Sequence, residues 1–304
     1  MSRPLPFLLA AATVLGALPN DASAYCQSTT VDEEDANCGQ VGEPLSWSTP
    51  CLSYAIDIDG SQWLEQSDTR ATVDAAFETW SSVSCDSGPT DIQFQRLPDS
   101  TCMVLEFNNS GGNVNTIAFL DPWVNPSDGV PLEPRALAIT KMWFDTATGE
   151  LWGADMIIND ERRWSQCTTS EDCTGFDLES VVTHEAGHFI GIGHSPIEEA
   201  TMYFRSGVPG DTDARTLGQD DIDATCAIYP PGSLQSECSD ADFTPRGGLD
   251  LNCEDGPNAG GGGCSAAAGN DAAHTWPLML LASTLLVAAR RRRRRCGFPG
   301  SVFH

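Results

Sequence analysis

The chain has 304 residues and a formal net charge of −27, from 16 Lys and Arg against 43 Asp and Glu. Between residues 25 and 263 the imbalance is larger, with nine basic residues against 41 acidic ones. Nucleic acids and anionic lipids are bound through a basic face, so this composition excludes both as partners of that segment. It favours solubility, and it leaves open whether some carboxylates bind Ca²⁺.

Residues 1–24 have the features of a secretory signal peptide. Arg3 provides the positive start, residues 7–18 are apolar, and the segment Ala22-Ser23-Ala24 is typical of a cleavage site. We expect cleavage before Tyr25 and export to the cell surface, the outer envelope or the extracellular space. Export permits disulfides among the 12 cysteines.

The sequence leaves the disulfide connectivity open. Pairs that are near in sequence are candidates: Cys85–Cys102, Cys167–Cys173 and Cys238–Cys253. Residues 25–44 form an acidic extension that is too short for a separate prodomain. Cys38, within this extension, is expected in a disulfide rather than as a latency switch.

A globular pattern begins at residue 45. Residues 52–58 alternate as a strand does. Asp68 is a candidate N-cap of a helix that runs to about Ser82. The core face of this helix is predicted from apolar residues at helical spacing: Val73, Ala76, Phe77 and Trp80.

Further strands are predicted at 92–96 and 103–107, followed by a long loop at 108–135. Residues 136–144 and 151–158 flank a turn and predict a hairpin. Asp177 is a natural N-cap for a helix from residue 178 to about 190, whose Val181, Val182 and Ile190 would pack on the sheet. Strands with an early helix, then two helices, indicate an α+β fold.

An H-E-x-x-H-x-x-G-x-x-H motif runs from His184 to His194. His184 and His188 lie one helical turn apart on one face, where two imidazoles can hold Zn²⁺. Glu185 can reach a water at the same site, and Gly191 permits a sharp turn that brings in His194. Three protein ligands leave a fourth position open, which is typical of catalytic zinc.

The sequence around this motif resembles that of the matrixins, a family of metzincins. The resemblance rests on Met202 eight residues after His194, on the segment 177–184, and on the segment 218–229. It implies a mixed five-stranded sheet with three helices, a matrixin-like catalytic domain at 45–232, and Met202 as a floor under the zinc. The activity that it implies is that of a zinc metalloendopeptidase.

The motif uses every histidine of this domain, so we expect one catalytic zinc and no second, structural zinc of the kind that related enzymes hold. Calcium stays open. Asp155, Asp121 and Asp128 are weak candidates for its ligands, and turns or caps explain each of them as well.

Residues 233–263 read as a Cys- and Gly-rich linker module, and residues 264–304 as a C-terminal tail. This tail has Cys264, an apolar stretch at 276–289 and six arginines at 290–295. The order resembles MYXO-CTERM sorting tails, which implies sorting machinery or the membrane as its partner. A plain anchor with a transmembrane helix is the alternative, although about 20 apolar residues are needed to span.

The sequence therefore predicts an exported, monomeric zinc endopeptidase that acts on protein or peptide substrates. Its metal ligands would be His184, His188 and His194, with Glu185 as general base. The alternatives are a non-catalytic surface binding or adhesion protein on a metzincin scaffold, and a zinc hydrolase of other substrates.

Overall fold

A computed structural model describes residues 25–31, 41–102, 105–167, 173–204, 207–234 and 237–253, and the backbone of 300–303. The helices are α1 (Gln66–Ser81), α2 (Leu178–Phe189) and α3 (Gln219–Ile228), with a 3-10 turn at Asp213–Arg215. The strands are β1 (Ser46–Trp47), β2 (Cys51–Ile56), β3 (Ser84–Cys85), β4 (Gly88–Pro89), β5 (Gln93–Arg96), β6 (Thr116–Leu120), β7 (Ala138–Phe144), β8 (Glu150–Asn159), β9 (Trp164–Ser165), β10 (Phe176–Asp177) and β11 (Gly300–Phe303).

A mixed sheet of five strands in the order β5-β2-β6-β8-β7 forms the centre of the fold. The first four are parallel, and β7 runs antiparallel to β8, with which it forms a hairpin as the first strand. The predicted α+β fold, with a mixed five-stranded sheet and three helices, is confirmed. Beyond this plan, β1 pairs with the start of β8, and β11 pairs antiparallel with β7.

Both faces of the sheet are buried. On one face, α1 and α2 pack through Phe77, Trp80, Val182 and Phe189, which form one apolar cluster with the sheet. Alternate residues of β6, β7 and β8 point to the other face, where apolar side chains from the two segments that flank β6, 105–107 and 123–136, cover them.

Three predicted boundaries are corrected by the structure. The loop predicted at 108–135 contains β6, and the described part of the strand predicted at 103–107 is not a strand. Helix α1 begins at Gln66 with Glu65 as its N-cap, so Asp68 is not the cap. The carbonyl of Glu65 accepts the N–H groups of Asp68 and Thr69, which places the Asp68 carboxylate inside the first turn, near the positive helix end.

Four disulfides have both cysteines within the described residues, and three of them join distant parts of the chain. They join Cys51 to Cys238, Cys85 to Cys226, Cys102 to Cys253 and Cys167 to Cys173. The Cys167–Cys173 prediction is confirmed, and the pairings Cys85–Cys102 and Cys238–Cys253 are wrong. The reason is that segment 237–253 does not close on itself: it lies against the sheet, where the Ser53 hydroxyl donates to the Phe243 carbonyl at 2.6 Å.

Within the described residues, no helix is long and apolar enough to cross a membrane. The transmembrane helix suggested at 276–289 lies outside the described residues. The same holds for the signal peptide at 1–24, for Cys38, and for Cys264 and the arginines of the tail.

Candidate metal centre

The N-terminus of α2 is fixed by a buried ion pair. Asp177 caps the helix, as predicted, by accepting the Ser180 N–H at 2.8 Å, and Arg215 Nε donates to the same carboxylate at 2.8 Å. Burial alone would raise the pKa of Asp177, but the Arg215 guanidinium and the bonds from Ser180 hold it below its usual value. The carboxylate is therefore ionised and ties α2 to the segment before α3.

Two histidines of α2 are oriented by backbone carbonyls. The Nδ1 atom of His184 lies 2.7 Å from the Thr201 carbonyl oxygen, and that of His188 lies 2.9 Å from the Ile192 carbonyl oxygen. A carbonyl oxygen only accepts, so each Nδ1 carries the proton and each Nε2 presents a lone pair. A neutral imidazole whose Nε2 carries a lone pair is the form that binds a zinc ion.

The third histidine arrives by a turn that only glycine allows. Gly191 has a φ of +91°, and a Cβ there would meet the Leu45 carbonyl oxygen at 2.4 Å. After this turn the Ile192 N–H donates to the Gly187 carbonyl of α2 at 2.9 Å, and the Nε2 atoms of His188 and His194 lie 3.2 Å apart. The N-terminal segment supports the turn, because Gly193 N–H donates to the Cys26 carbonyl.

The three histidines form a cluster that fits a zinc ion. One nitrogen from each of His184, His188 and His194 lies within 4.8 Å of the other two, and His188 is fully buried. Three histidine nitrogens, two of them with the tautomer fixed by a backbone carbonyl, are the donor set of an open zinc site.

The carboxyl of Glu185 is buried next to this cluster. Its side chain is 5% exposed, and the Thr140 hydroxyl donates to its Oε2 at 2.7 Å. Burial raises the pKa of Glu185 to about 8, and hydrogen bonds from Thr140 oppose this rise. Thr140 received no role from the sequence, where it reads as an ordinary strand residue.

Met202 packs directly against α2, the helix that carries His184 and His188 and is called the zinc helix below. It is fully buried, and a Cβ on Gly187 would meet its Sδ at 2.2 Å and the Trp80 ring at 2.8 Å. Glycine inside α2 costs helix propensity, and here it makes room for the methionine.

Asp221 fixes the turn that contains Thr201 and Met202, which is called the methionine turn below. Its carboxylate accepts the N–H groups of Thr201 at 2.7 Å, Met202 at 3.1 Å and Gly218 at 2.8 Å. Burial raises its pKa, against the effect of these bonds. Sequence reasoning missed this role, because nothing in the sequence indicates that α3 contacts residues 201–202.

The three weak calcium candidates do not come together. Asp155 is buried in the sheet, where it accepts the Thr116 N–H at 2.9 Å, and burial raises its pKa to about 8. Asp121 lines a cavity of about 540 Å³ on which Asp160 also borders, and Asp128 is an exposed turn residue that accepts the Val130 N–H. In the described part of the chain these carboxylates form no common ligand set.

Comparison with known proteins agrees with this geometry. The profile of the matrixin family matches residues 46–230, which is more than half of the chain. The chain belongs to the matrixin family. The fold and histidine cluster implied by the sequence resemblance are thus confirmed for this matrixin.

Several curated relatives are similar to this matrixin. "Metalloendoproteinase 1-MMP" of Arabidopsis thaliana is 28% identical over 197 residues, which cover 62% of this chain and 46% of the relative. "Matrix metalloproteinase-C" of Caenorhabditis elegans is 26% identical over 223 residues, with 68% and 34% covered. "Interstitial collagenase" of Sus scrofa is 27% identical over 191 residues, with 61% and 33% covered. The chain spans less than half of the length of each of these relatives.

Proposed function

We propose that this matrixin is an exported zinc endopeptidase that hydrolyses peptide bonds of protein or peptide substrates. The observation that carries the proposal is the convergence of three histidine nitrogens beside the buried carboxyl of Glu185. Membership of the matrixin family supports it, as do the names of the relatives, two of which are called metalloendoproteinase and collagenase.

His184, His188 and His194 would hold one zinc ion. When bound, this ion would lower the pKa of a water and polarise the scissile carbonyl. Glu185 takes a proton from the attacking water and passes it to the leaving amine, so that it acts first as base and then as acid. The contact between Met202 and Gly187 would fix the position of α2 and of the histidines that it carries.

The edge of β7 is the place where a substrate strand would pair. Thr140 of β7 contacts Glu185, so an extended peptide beside residues 138–140 would pass the catalytic carboxyl. Among the described residues β11 covers only the neighbouring stretch 141–144 and leaves 138–140 uncovered.

Export fits the disulfides, since cross-links of this number persist in oxidising compartments. We propose the arrangement read from the sequence: a signal peptide at 1–24, an extension at 25–44, the catalytic domain at 45–232, a module at 233–263 and a sorting or anchoring tail at 264–304. The part of the module at 237–253 is fastened to the catalytic domain by Cys51–Cys238 and Cys102–Cys253. A monomer suffices, because the histidine cluster and Glu185 come from one chain.

The test is cleavage of a quenched peptide library by the zinc-loaded chain, with and without a chelator, next to Glu185→Ala. As a matched control, Glu198→Ala removes an exposed carboxylate a few residues beyond the motif. We expect cleavage by the parent and by Glu198→Ala, loss with the chelator, and a loss of about 10²-fold or more for Glu185→Ala. A parent that binds one zinc per chain and cuts nothing would instead be a binding protein on this scaffold.

A further inference from the structure

We propose that Thr140 is a positioning residue for the proposed peptide hydrolysis, and that it acts through its hydroxyl on the Glu185 carboxylate. The inference rests on the proposed function, which assigns the base but not what orients it. The hydroxyl donates to Oε2 of Glu185 at 2.7 Å, and both residues are buried.

The sheet aims this hydroxyl at α2. Along β7, residues with even numbers point to the helix-packed face, and Ala138 and Met142 accordingly belong to the apolar cluster shared with α2. The odd-numbered Ile139 and Trp143 belong to the cluster on the opposite face. Thr140 is therefore a polar residue at a position where its neighbours on the same face are apolar.

A hydroxyl at such a position needs a partner, and Glu185 is the partner. Glu185 has two carboxylate oxygens, and a base needs only one of them for the proton of the water. Holding Oε2 leaves Oε1 for the water and removes the rotation of the carboxylate about its last torsion, which is otherwise a broad distribution. Fixed orientation of a reacting group contributes to rate rather than to substrate binding.

Three substitutions in the zinc-loaded full chain test this role. Thr140→Val keeps the shape and removes the hydroxyl, and Thr140→Ser keeps the hydroxyl. Thr69→Val is the matched control, because Thr69 is also fully buried and its hydroxyl has no hydrogen-bond partner in the described structure. Each variant is measured for kcat and KM separately, for zinc content per chain, and for the position of the Glu185 side chain in a crystal structure.

For Thr140→Val we expect kcat to fall about tenfold or more, the loss expected for a hydrogen bond to a charged group, with KM and zinc content unchanged. Its Glu185 carboxylate should be rotated or present in two positions. Thr140→Ser should keep most of the parent kcat with the carboxylate in place, and Thr69→Val should behave as the parent.

Unchanged kcat in Thr140→Val would overturn the inference, and so would equal losses in Thr140→Ser and Thr140→Val or a change confined to KM. If the parent itself cleaves nothing, the proposed function is wrong, and kcat no longer tests the role of Thr140. The crystal structures then decide the positioning by themselves, since a carboxylate that stays in place in Thr140→Val overturns it.

Discussion

The Nδ1 atom of His184 lies 2.7 Å from the carbonyl oxygen of Thr201 and so links the zinc helix to the methionine turn. Asp221 of α3 holds the N–H group of the same Thr201 at 2.7 Å. The orientation of this histidine therefore depends on a carboxylate that touches neither the metal nor a substrate.

The first prediction concerns Asp221. In Asp221→Asn an NH₂ group replaces a carboxylate oxygen and faces a backbone N–H that has lost its acceptor. We expect a loss of roughly 2–4 kcal/mol in the free energy of unfolding, because several charge-assisted bonds are lost at a buried site. The zinc dissociation constant should rise about tenfold or more.

Denaturant unfolding and zinc titration measure both effects, and Asp220→Asn is the matched control. Asp220 is the neighbouring residue in α3, is also buried, and has an Oδ1 without a hydrogen-bond partner in the described structure. Its substitution should change zinc affinity little. Equal effects of the two substitutions would contradict the role of Asp221 in orienting His184 through Thr201.

The second prediction concerns Gly187. A Cβ at this position overlaps Met202 Sδ at 2.2 Å, so Gly187→Ala must displace the methionine or the helix. We expect a destabilisation of about 1–3 kcal/mol from overpacking, together with weaker zinc binding. Thermal unfolding with and without zinc measures it. Gly193→Ala, where the nearest atom to a Cβ is Ser28 N at 3.3 Å, should be tolerated far better.

The third prediction is a pH dependence set by Asp177. Its folded-state pKa lies below the ordinary value of 3.8, so the ionised carboxylate stabilises the fold fully above pH 3.8. This stabilisation is lost as the pH falls through the lower folded-state pKa. Asp177→Asn keeps a good N-cap but breaks the ion pair with Arg215, and we expect a loss of roughly 2–3 kcal/mol at pH 7 that disappears in strong acid.

Urea unfolding at a series of pH values measures this dependence. The control is Glu150→Gln, which breaks an exposed pair with Arg246 at 3.6 Å and should cost about 0–1 kcal/mol. A difference between parent and Asp177→Asn that stays constant down to pH 2 would contradict the assigned ionisation.

The fourth prediction compares two disulfides. Cys85–Cys226 closes a sequence separation of 141 residues, and Cys167–Cys173 one of only 6. Loop entropy predicts that paired Cys→Ser substitutions cost about 5 kcal/mol for the first bridge and about 2 kcal/mol for the second. Chemical denaturation of the two double variants measures the ranking, and a reversed order would show that native-state contacts dominate.

Much of the candidate site was accessible from the sequence because its spacing is local. His184, Glu185 and His188 lie within five residues of one helix, and α2 follows its predicted cap and core face. The turn at Gly191 was also predicted, since a positive φ selects glycine at that one position.

Long-range contacts account for what the sequence did not predict. The strand β6 was read as loop, because its burial on one face depends on α1 and α2, which are distant in sequence, and on the other face on how its flanking segments fold back over it. The pairings of Cys85, Cys102, Cys238 and Cys253 were wrong, since nearness along the chain does not measure distance in a sheet whose strands are out of sequence order.

The sequence by itself determined the family, the α+β fold and which three histidines cluster, because periodicity and fixed spacing are local properties of the chain. Only the tertiary structure decided which groups orient them. Thr140 comes from strand β7 and Thr201 from a turn, and both contact α2 directly, whereas Asp221 of the last helix acts through Thr201. Contacts of this kind depend on the relative position of whole elements, which the order of residues within any one element does not specify.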